Sequence, residues 1–294
     1  MGENMRYEEA PHRRFREHPA VPDAPSLVPA QPDVALPDPR LRGEVLCYQV
    51  FPCADGVPHS LTTDGRVRMI LLAERGTERH PDVPPVLIDS LLSGLKTPTG
   101  DTLRDGEHGT GVEVALEPWA VFRLFGTSPE DLGAAINDRD RFPGSLVHAV
   151  ARNVSGTRDW AARRAVIDAA LVERQAANPP CPVPLRQAWR RLVETGGRIP
   201  ITRLAADVAW SQNQLARRFR EQIGLSPKVA ARALRLRRAL RLLATGQAAV
   251  RAAMDCGFCD PAHLSRECTA LTGRPPSQLL AARSVFHQRT VRRR

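Results

Sequence analysis

The strongest constraint on the fold is a helical pattern that occurs twice in the last third of the chain, its copies 48 positions apart. In each copy a small residue lies in a first helix, a tight turn follows, and a second helix carries an inward-facing apolar residue. The matching positions are Ala205 and Ala253, Ala209 and Gly257, Trp210 and Phe258, and Leu215 and Leu264. The pattern predicts two helix-turn-helix units, the second with a turn one residue longer.

The second helix of each unit, here called its recognition helix, has a capping residue and one exposed face. Ser211 and Asp260 are the predicted N-caps, because short oxygen-bearing side chains accept the free amides of a first turn. On the exposed face, Gln and Asn can pair bidentately with adenine and Arg with guanine. The residues expected to contact DNA are Ser211, Gln212, Asn213, Ala216 and Arg217 in the first unit, and Pro261, Ala262, Ser265 and Arg266 in the second. Since the second helix offers little besides Arg266 to pair with bases, base specificity is expected mainly from the first unit.

The segment between the two units predicts one continuous helix. Gly224 ends a helix and Ser226-Pro227 begins the next, which is expected to run from about Lys228 to Leu243. A rigid helix would hold the units at a fixed separation, and successive major grooves on one face of DNA lie roughly 34 Å apart. One chain could then bind a non-palindromic site without dimerising. Phosphate contacts are expected from Arg218, Arg220, Lys228 and Arg235.

The charge is distributed unevenly along the chain. Residues 181–294 carry 22 Lys and Arg against 6 Asp and Glu, whereas residues 1–180 carry 20 against 26. A compositional bias toward Arg would enrich both parts equally, so the contrast indicates that only the back of the chain meets a polyanion.

The front of the chain predicts a small antiparallel sheet or barrel followed by helices, giving an α+β protein overall. Strands are predicted over 45–50, 66–72 and 111–116, a strand or short helix over 86–95, and helices over 119–125 and 159–174. Prolines in 178–184 mark a linker. The expected organisation is a largely disordered lead-in at 1–40, a front domain at 41–176, a linker at 177–184, an all-α domain at 185–285 and a basic tail at 286–294.

The back of the chain, over roughly 183–285, resembles the AraC/XylS family of bacterial transcriptional regulators. The residues that carry the resemblance are Leu204-Ala205, Ser211, Leu215, Arg217-Arg218-Phe219, Gly224-Leu225-Ser226-Pro227, Arg235-Leu236, Ala239, Leu242-Leu243, Gly257-Phe258, Asp260, His263-Leu264-Ser265-Arg266 and Thr272-Gly273-Arg274-Pro275-Pro276. The chain departs from the family pattern at Ala209, where glycine is usual, at Cys268, where phenylalanine is usual, at Pro275 and at Leu279-Leu280. Ala209 is therefore expected to strain the first turn.

The resemblance implies a seven-helix domain that binds double-stranded DNA and a variable front domain that senses a signal or mediates association. It also implies RNA polymerase as a partner, since activation is the commoner mode in that family. A small-molecule effector and the choice between monomer and homodimer are left open. The charged start holds no secretory signal and the apolar stretches are too short to span a bilayer, so a cytoplasmic, membrane-free protein is expected.

Three alternatives remain at this stage. Cys256, Cys259, His263 and Cys268 have a spacing that superficially suits zinc, although two of them flank a turn. An enzyme fused to the DNA-binding module, such as a DNA-alkylation responder, needs a cysteine cluster in front, where only Cys47 and Cys53 lie. A nonspecific nucleoid-type binder would show salt-sensitive binding with almost no sequence discrimination. The sequence offers no phosphate loop or catalytic constellation, so we expect no enzyme activity, cofactor or metal.

Overall fold

The structure is a computed structural model in which a front antiparallel sheet and a back helical domain share part of their packing. It describes residues 34–52, 65–73, 86–89, 91, 110–129, 131–132 and 159–281. The first 33 residues, Cys53 and the predicted basic tail at 286–294 lie outside the described residues.

The front of the chain folds as an antiparallel sheet of five strands within the described residues. The strands are β1 Val34–Ala35, β2 Val45–Pro52, β3 Val67–Ala73, β4 Val86–Asp89 and β5 Thr110–Leu116. Their order is β1-β2-β5-β3-β4, so β5 is central and the described strands form an open sheet. The three predicted strands are confirmed, and the ambiguous apolar run begins as a strand.

Side chains along the central strands point alternately to the two faces of the sheet. One of these faces is buried. Val114 of β5 lies opposite Tyr48 of β2 and Met69 of β3, and all three are almost fully buried. Two helices cover that face: α1 Pro118–Phe125 and α2 Trp160–Gln175. The Tyr48 hydroxyl donates to Asp168 Oδ1 of α2 at 2.6 Å, which ties the helix to the sheet.

The first strand of the sheet, β1, precedes residue 41, where the front domain was predicted to begin. Val34 and Ala35 pair with Gln49 and Tyr48 of β2, and a 3-10 turn follows at Pro39–Leu41. Val34–Ala35 therefore belong to the sheet, within the range that was predicted as a lead-in. A two-residue strand between prolines has no apolar period, so the sequence pattern could not reveal it.

The back of the chain is all-helical in the described residues and contains the seven helices expected for this region. They are α3 Val183–Glu194, α4 Ile201–Asp207, α5 Gln212–Ile223, α6 Pro227–Ala244, α7 Ala249–Asp255, α8 Pro261–Thr272 and α9 at 276–281. Helix α3 begins two residues before the predicted Leu185, because Pro184 is tolerated in a first turn.

The two parts of the chain are joined by more than the proline-rich segment. Trp119 of α1 and Leu91 are buried in the same apolar cluster as Trp189 of α3 and Phe219 of α5. Helix α1 also packs directly against α5. At Gly65, an added Cβ would lie only 2.5 Å from a Trp189 ring carbon, so this backbone approaches α3 as closely as glycine permits. The front domain therefore supports the first helix-turn-helix unit.

Candidate nucleic-acid interface

The first helix-turn-helix unit consists of α4 and α5. Ala205 is 2% exposed where the helices cross, and the Trp210 amide donates to the Ala205 carbonyl oxygen at 3.0 Å to close the turn. The Ser211 hydroxyl accepts from the Gln214 amide at 3.1 Å, which confirms the predicted N-cap. Leu215 and Phe219 are fully buried and anchor α5 by its inner face.

The second unit, α7 and α8, closes its turn in the same way. The Phe258 amide donates to the Ala253 carbonyl oxygen at 3.0 Å, the counterpart of the bond between Trp210 and Ala205. Asp260 Oδ1 accepts from the His263 amide at 2.6 Å, so the predicted cap is confirmed here as well. The extra residue of this turn, Cys259, is exposed and precedes the cap.

The two turns differ at the residue that must adopt a left-handed conformation. Gly257 has φ 76°, which glycine adopts freely, whereas Ala209 has φ 54°. Ala209 is the one non-glycine residue with positive φ in the described ranges. Its Cβ lies close to the following carbonyl oxygen in this conformation. The strain expected from the sequence is therefore present in the first turn.

Most predicted base-contacting residues lie on accessible surface of the two recognition helices. Those classed as exposed are Ser211, Gln212, Asn213, Arg217, Ala262 and Arg266. Those that are half-buried are Ala216, Pro261 and Ser265. Each recognition helix thus has its apolar side in the core and its polar side accessible.

The four predicted phosphate-contacting residues have different surroundings. Arg220 and Lys228 are exposed. Arg218 pairs with Glu221 one turn further along α5, at 2.9 Å. Arg235 lies over the Phe258 ring and donates to the Gly257 carbonyl oxygen at 3.5 Å. Arg235 therefore also joins the connecting helix to the second turn, a role that the sequence pattern did not indicate.

The sequence pattern did not predict a second contact between the connecting helix and the second unit. Arg232 of α6 donates to both carboxylate oxygens of Glu267 of α8, at 2.7 and 3.2 Å. The hydrogen bond from Arg232 holds the pKa of Glu267 below its ordinary value. A bidentate pair of this kind fixes orientation as well as distance, so it sets the angle of α8 on α6.

The cysteines and histidine of the second unit lie in different environments. Cys256 and Cys268 are buried, whereas Cys259 is exposed and its amide donates to His263 Nδ1 at 3.3 Å. Cys268 fills the expected phenylalanine position, and its thiol donates to the Arg274 carbonyl oxygen at 3.3 Å. Among the described residues, no group of three or more His, Cys, Asp or Glu is placed to hold a metal ion.

Comparison with known families supports the assignment of this region. Residues 204–282 match the model of a helix-turn-helix domain family, a range that begins within α4 and contains the rest of both units and the connecting helix. No curated protein and no solved structure matches the chain. Within the described residues, every helix is too short or too polar to cross a bilayer.

Proposed function

We propose that this DNA-binding transcription regulator, whose residues 204–282 form an AraC-type helix-turn-helix domain, binds two successive major grooves of one promoter site. Each recognition helix enters one groove, and a single chain contacts a non-palindromic sequence. Both units act on the same face of the DNA.

The observation that carries this proposal is the repeated turn geometry on a single connecting helix. Both turns close with an amide-to-carbonyl bond of 3.0 Å, and α6 has 18 residues between them. A helix of that length spans about 27 Å. This length is of the same order as the roughly 34 Å between successive grooves.

The two recognition helices have unequal capacity for base contacts. The first exposes Gln212, Asn213 and Arg217, whose side chains can form paired hydrogen bonds with base edges. The second presents Pro261, Ala262 and Ser265, with Arg266 as its long polar side chain. The first unit therefore determines most of the base preference, and the second mainly docks on the DNA backbone.

Backbone contacts supply most of the sequence-independent affinity in this proposal. Arg218, Arg220, Lys228 and Arg235 contact phosphates beside the two grooves. Residues 181–294 contain 22 basic and 6 acidic residues. Contacts between these basic side chains and phosphates release counterions from the DNA, which favours binding. Because its partner is chromosomal DNA, the protein acts in the cytoplasm.

The front domain controls the first unit through helix α1. Packing of α1 against the recognition helix α5 gives the front domain direct access to the unit that carries base preference. A signal that moves α1 would alter how α5 contacts DNA. When the protein is bound upstream of a promoter, it activates transcription by recruiting RNA polymerase. The function is regulatory rather than enzymatic.

Selection of DNA from a random-sequence pool by the purified protein, at two salt concentrations, tests the proposal. An asymmetric motif with two blocks about one helical turn apart is expected, and it should persist at the higher salt concentration. Enrichment of no motif, with binding that collapses at the higher salt concentration, would instead identify a nonspecific basic DNA binder.

A further inference from the structure

A basic cleft of about 490 Å³ lies where the two helix-turn-helix units meet the connecting helix. It lies between the loop before α4, one side of α6 and one side of α8. The charged and titratable residues that line it are Arg198, Lys228, Arg232, Arg235, His263 and Glu267. The cleft is separate from the base-contacting residues of both recognition helices.

The cleft carries uncompensated positive charge. Arg232 is neutralised by its bidentate pair with Glu267. Arg198, Lys228 and Arg235 form no ion pair with the carboxylates of the described residues. The cleft lining thus holds four cationic side chains against the single carboxylate of Glu267. This excess of positive charge attracts an anion, and the attraction is stronger in a concave site than on a flat surface.

One hydrogen-bond donor in the cleft also lacks an acceptor. The Nε of Arg235 is buried and donates to no acceptor within the described part of the chain. A buried donor without a partner costs about 1–3 kcal/mol. An oxyanion bound in the cleft would reach this donor only with a change in the Arg235 side-chain conformation, because the Nε itself has no accessible surface.

The position of the cleft identifies the source of that anion. Arg198 lies just before the first unit, yet its Cδ is 3.7 Å from the position that a Cβ would occupy on Gly257, in the second turn. The cleft therefore bridges the two units. On one face of DNA the minor groove, bordered by two sugar-phosphate strands, lies between two successive major grooves, so the surface between two units that occupy those grooves faces phosphates.

We propose that this cleft binds a phosphate group of the DNA strand that passes between the two grooves, with Arg198, Lys228 and Arg235 as its ligands. The inference rests on the proposed two-groove binding. Since a phosphate has the same chemistry in every sequence, the cleft adds affinity and fixes the register of the protein on DNA without contributing base preference. The other source of the same chemistry is a small phosphorylated ligand.

The test compares the salt dependence of DNA binding by the full-length protein and by Arg198→Gln, Lys228→Gln and the double variant. Each phosphate contact contributes about 0.9 to the slope of log affinity against log salt. Three results support the proposal: a slope lowered by up to about 0.9 in the double variant, a smaller lowering in each single variant, and the same fold-loss of affinity on the selected site and a scrambled site. Arg190→Gln is the matched control, because Arg190 is exposed on α3 and does not line the cleft.

An unchanged slope in the double variant would overturn the proposal. Titration of the DNA-free protein with inorganic phosphate distinguishes the two sources of phosphate. Tight phosphate binding that Lys228→Gln abolishes, together with an unchanged DNA slope, assigns the cleft to a small ligand and rejects the DNA strand. The motif from the random pool tests two-groove binding separately. If the pool yields no motif but the double variant still lowers the salt slope, the result refutes the proposed function and leaves phosphate binding by the cleft intact.

Discussion

The guanidinium carbon of Arg235 lies 5.4 Å from the centroid of the Phe258 ring, and Arg235 Nη1 donates to the carbonyl oxygen of Gly257 at 3.5 Å. The first residue belongs to the connecting helix and the other two to the turn of the second unit. Their contact fixes the second unit to the connector at the edge of the apolar core, to which Phe258 belongs.

Replacing Arg235 with Gln should therefore destabilise the second unit. The substitution removes a cation–π contact worth about 0.5–2 kcal/mol, and we expect the free energy of unfolding to fall by about 1 kcal/mol. Urea denaturation of the full-length protein measures the change. Arg235→Lys retains the charge but not the planar group, so its loss should be smaller. Equal stability of Arg235→Gln and the parent would show that the contact contributes nothing.

Replacing Ala209 with Gly should stabilise the protein. Left-handed geometry costs a non-glycine residue about 1–2 kcal/mol, while glycine loses about 0.5–1 kcal/mol of conformational freedom on folding. The expected net gain in the free energy of unfolding is about 0.5–1 kcal/mol, measured by urea or thermal denaturation.

The matched control for this variant is Ala206→Gly, three residues earlier. Ala206 is exposed within α4, where glycine costs about 1 kcal/mol relative to alanine. The two variants should thus shift stability in opposite directions. A loss of stability in both would indicate that Ala209 does not adopt its left-handed conformation.

Thiol reactivity should report the packing between the front and back of the chain. Burial raises the pKa of the Cys181 thiol to about 12, and it raises the pKa of Cys256 as well. Because the thiolate is the reactive form, both residues should resist alkylation near pH 8, whereas the exposed Cys259 should react first. Peptide mapping after timed alkylation measures the order. Labelling of Cys181 as fast as Cys259 in the native protein would contradict the shared apolar core around it.

The pair between Arg232 and Glu267 should give a defined pH dependence. The pKa of Glu267 is lowered in the folded protein from its ordinary 4.5, so folding favours the ionised form. The stability it contributes is fully present above about pH 4.5 and is lost as the pH falls through the lowered pKa. The difference in urea midpoint between the parent and Glu267→Gln should hold from pH 7 to 5 and narrow at pH 3. A difference that stays constant over this range would exclude the ion pair as its cause.

The local features of the two units could be predicted from the sequence because each depends on residues close together in the chain. Ser211 and Asp260 cap their helices as expected, and the strain at Ala209 follows from one missing glycine. The strands at 45–50 and 111–116 were visible for the same reason, since alternation is a local pattern.

Contacts between distant residues could not be predicted in this way. Trp119 lies in a helix that the sequence predicted, but the sequence did not show that its core is shared with Trp189 in the back domain. Likewise, Arg235 has the sequence features of a phosphate ligand, and only the fold reveals its contact with Phe258. Helix periodicity indicates that Arg235 lies on a polar face, but it does not show that its partner is Phe258, 23 residues further along the chain.

Specific binding through the first recognition helix, supported by the second, can be measured as a ratio of two affinities. The dissociation constants for the selected site and for a scrambled site would be measured at one physiological salt concentration, for the parent, Arg217→Gln and Arg266→Gln. We expect a ratio of about 10³ or more for the parent, a ratio at least tenfold lower for Arg217→Gln, and a smaller change for Arg266→Gln. A parent ratio near one would contradict sequence-specific binding, and equal losses in the two variants would contradict the asymmetry between the units.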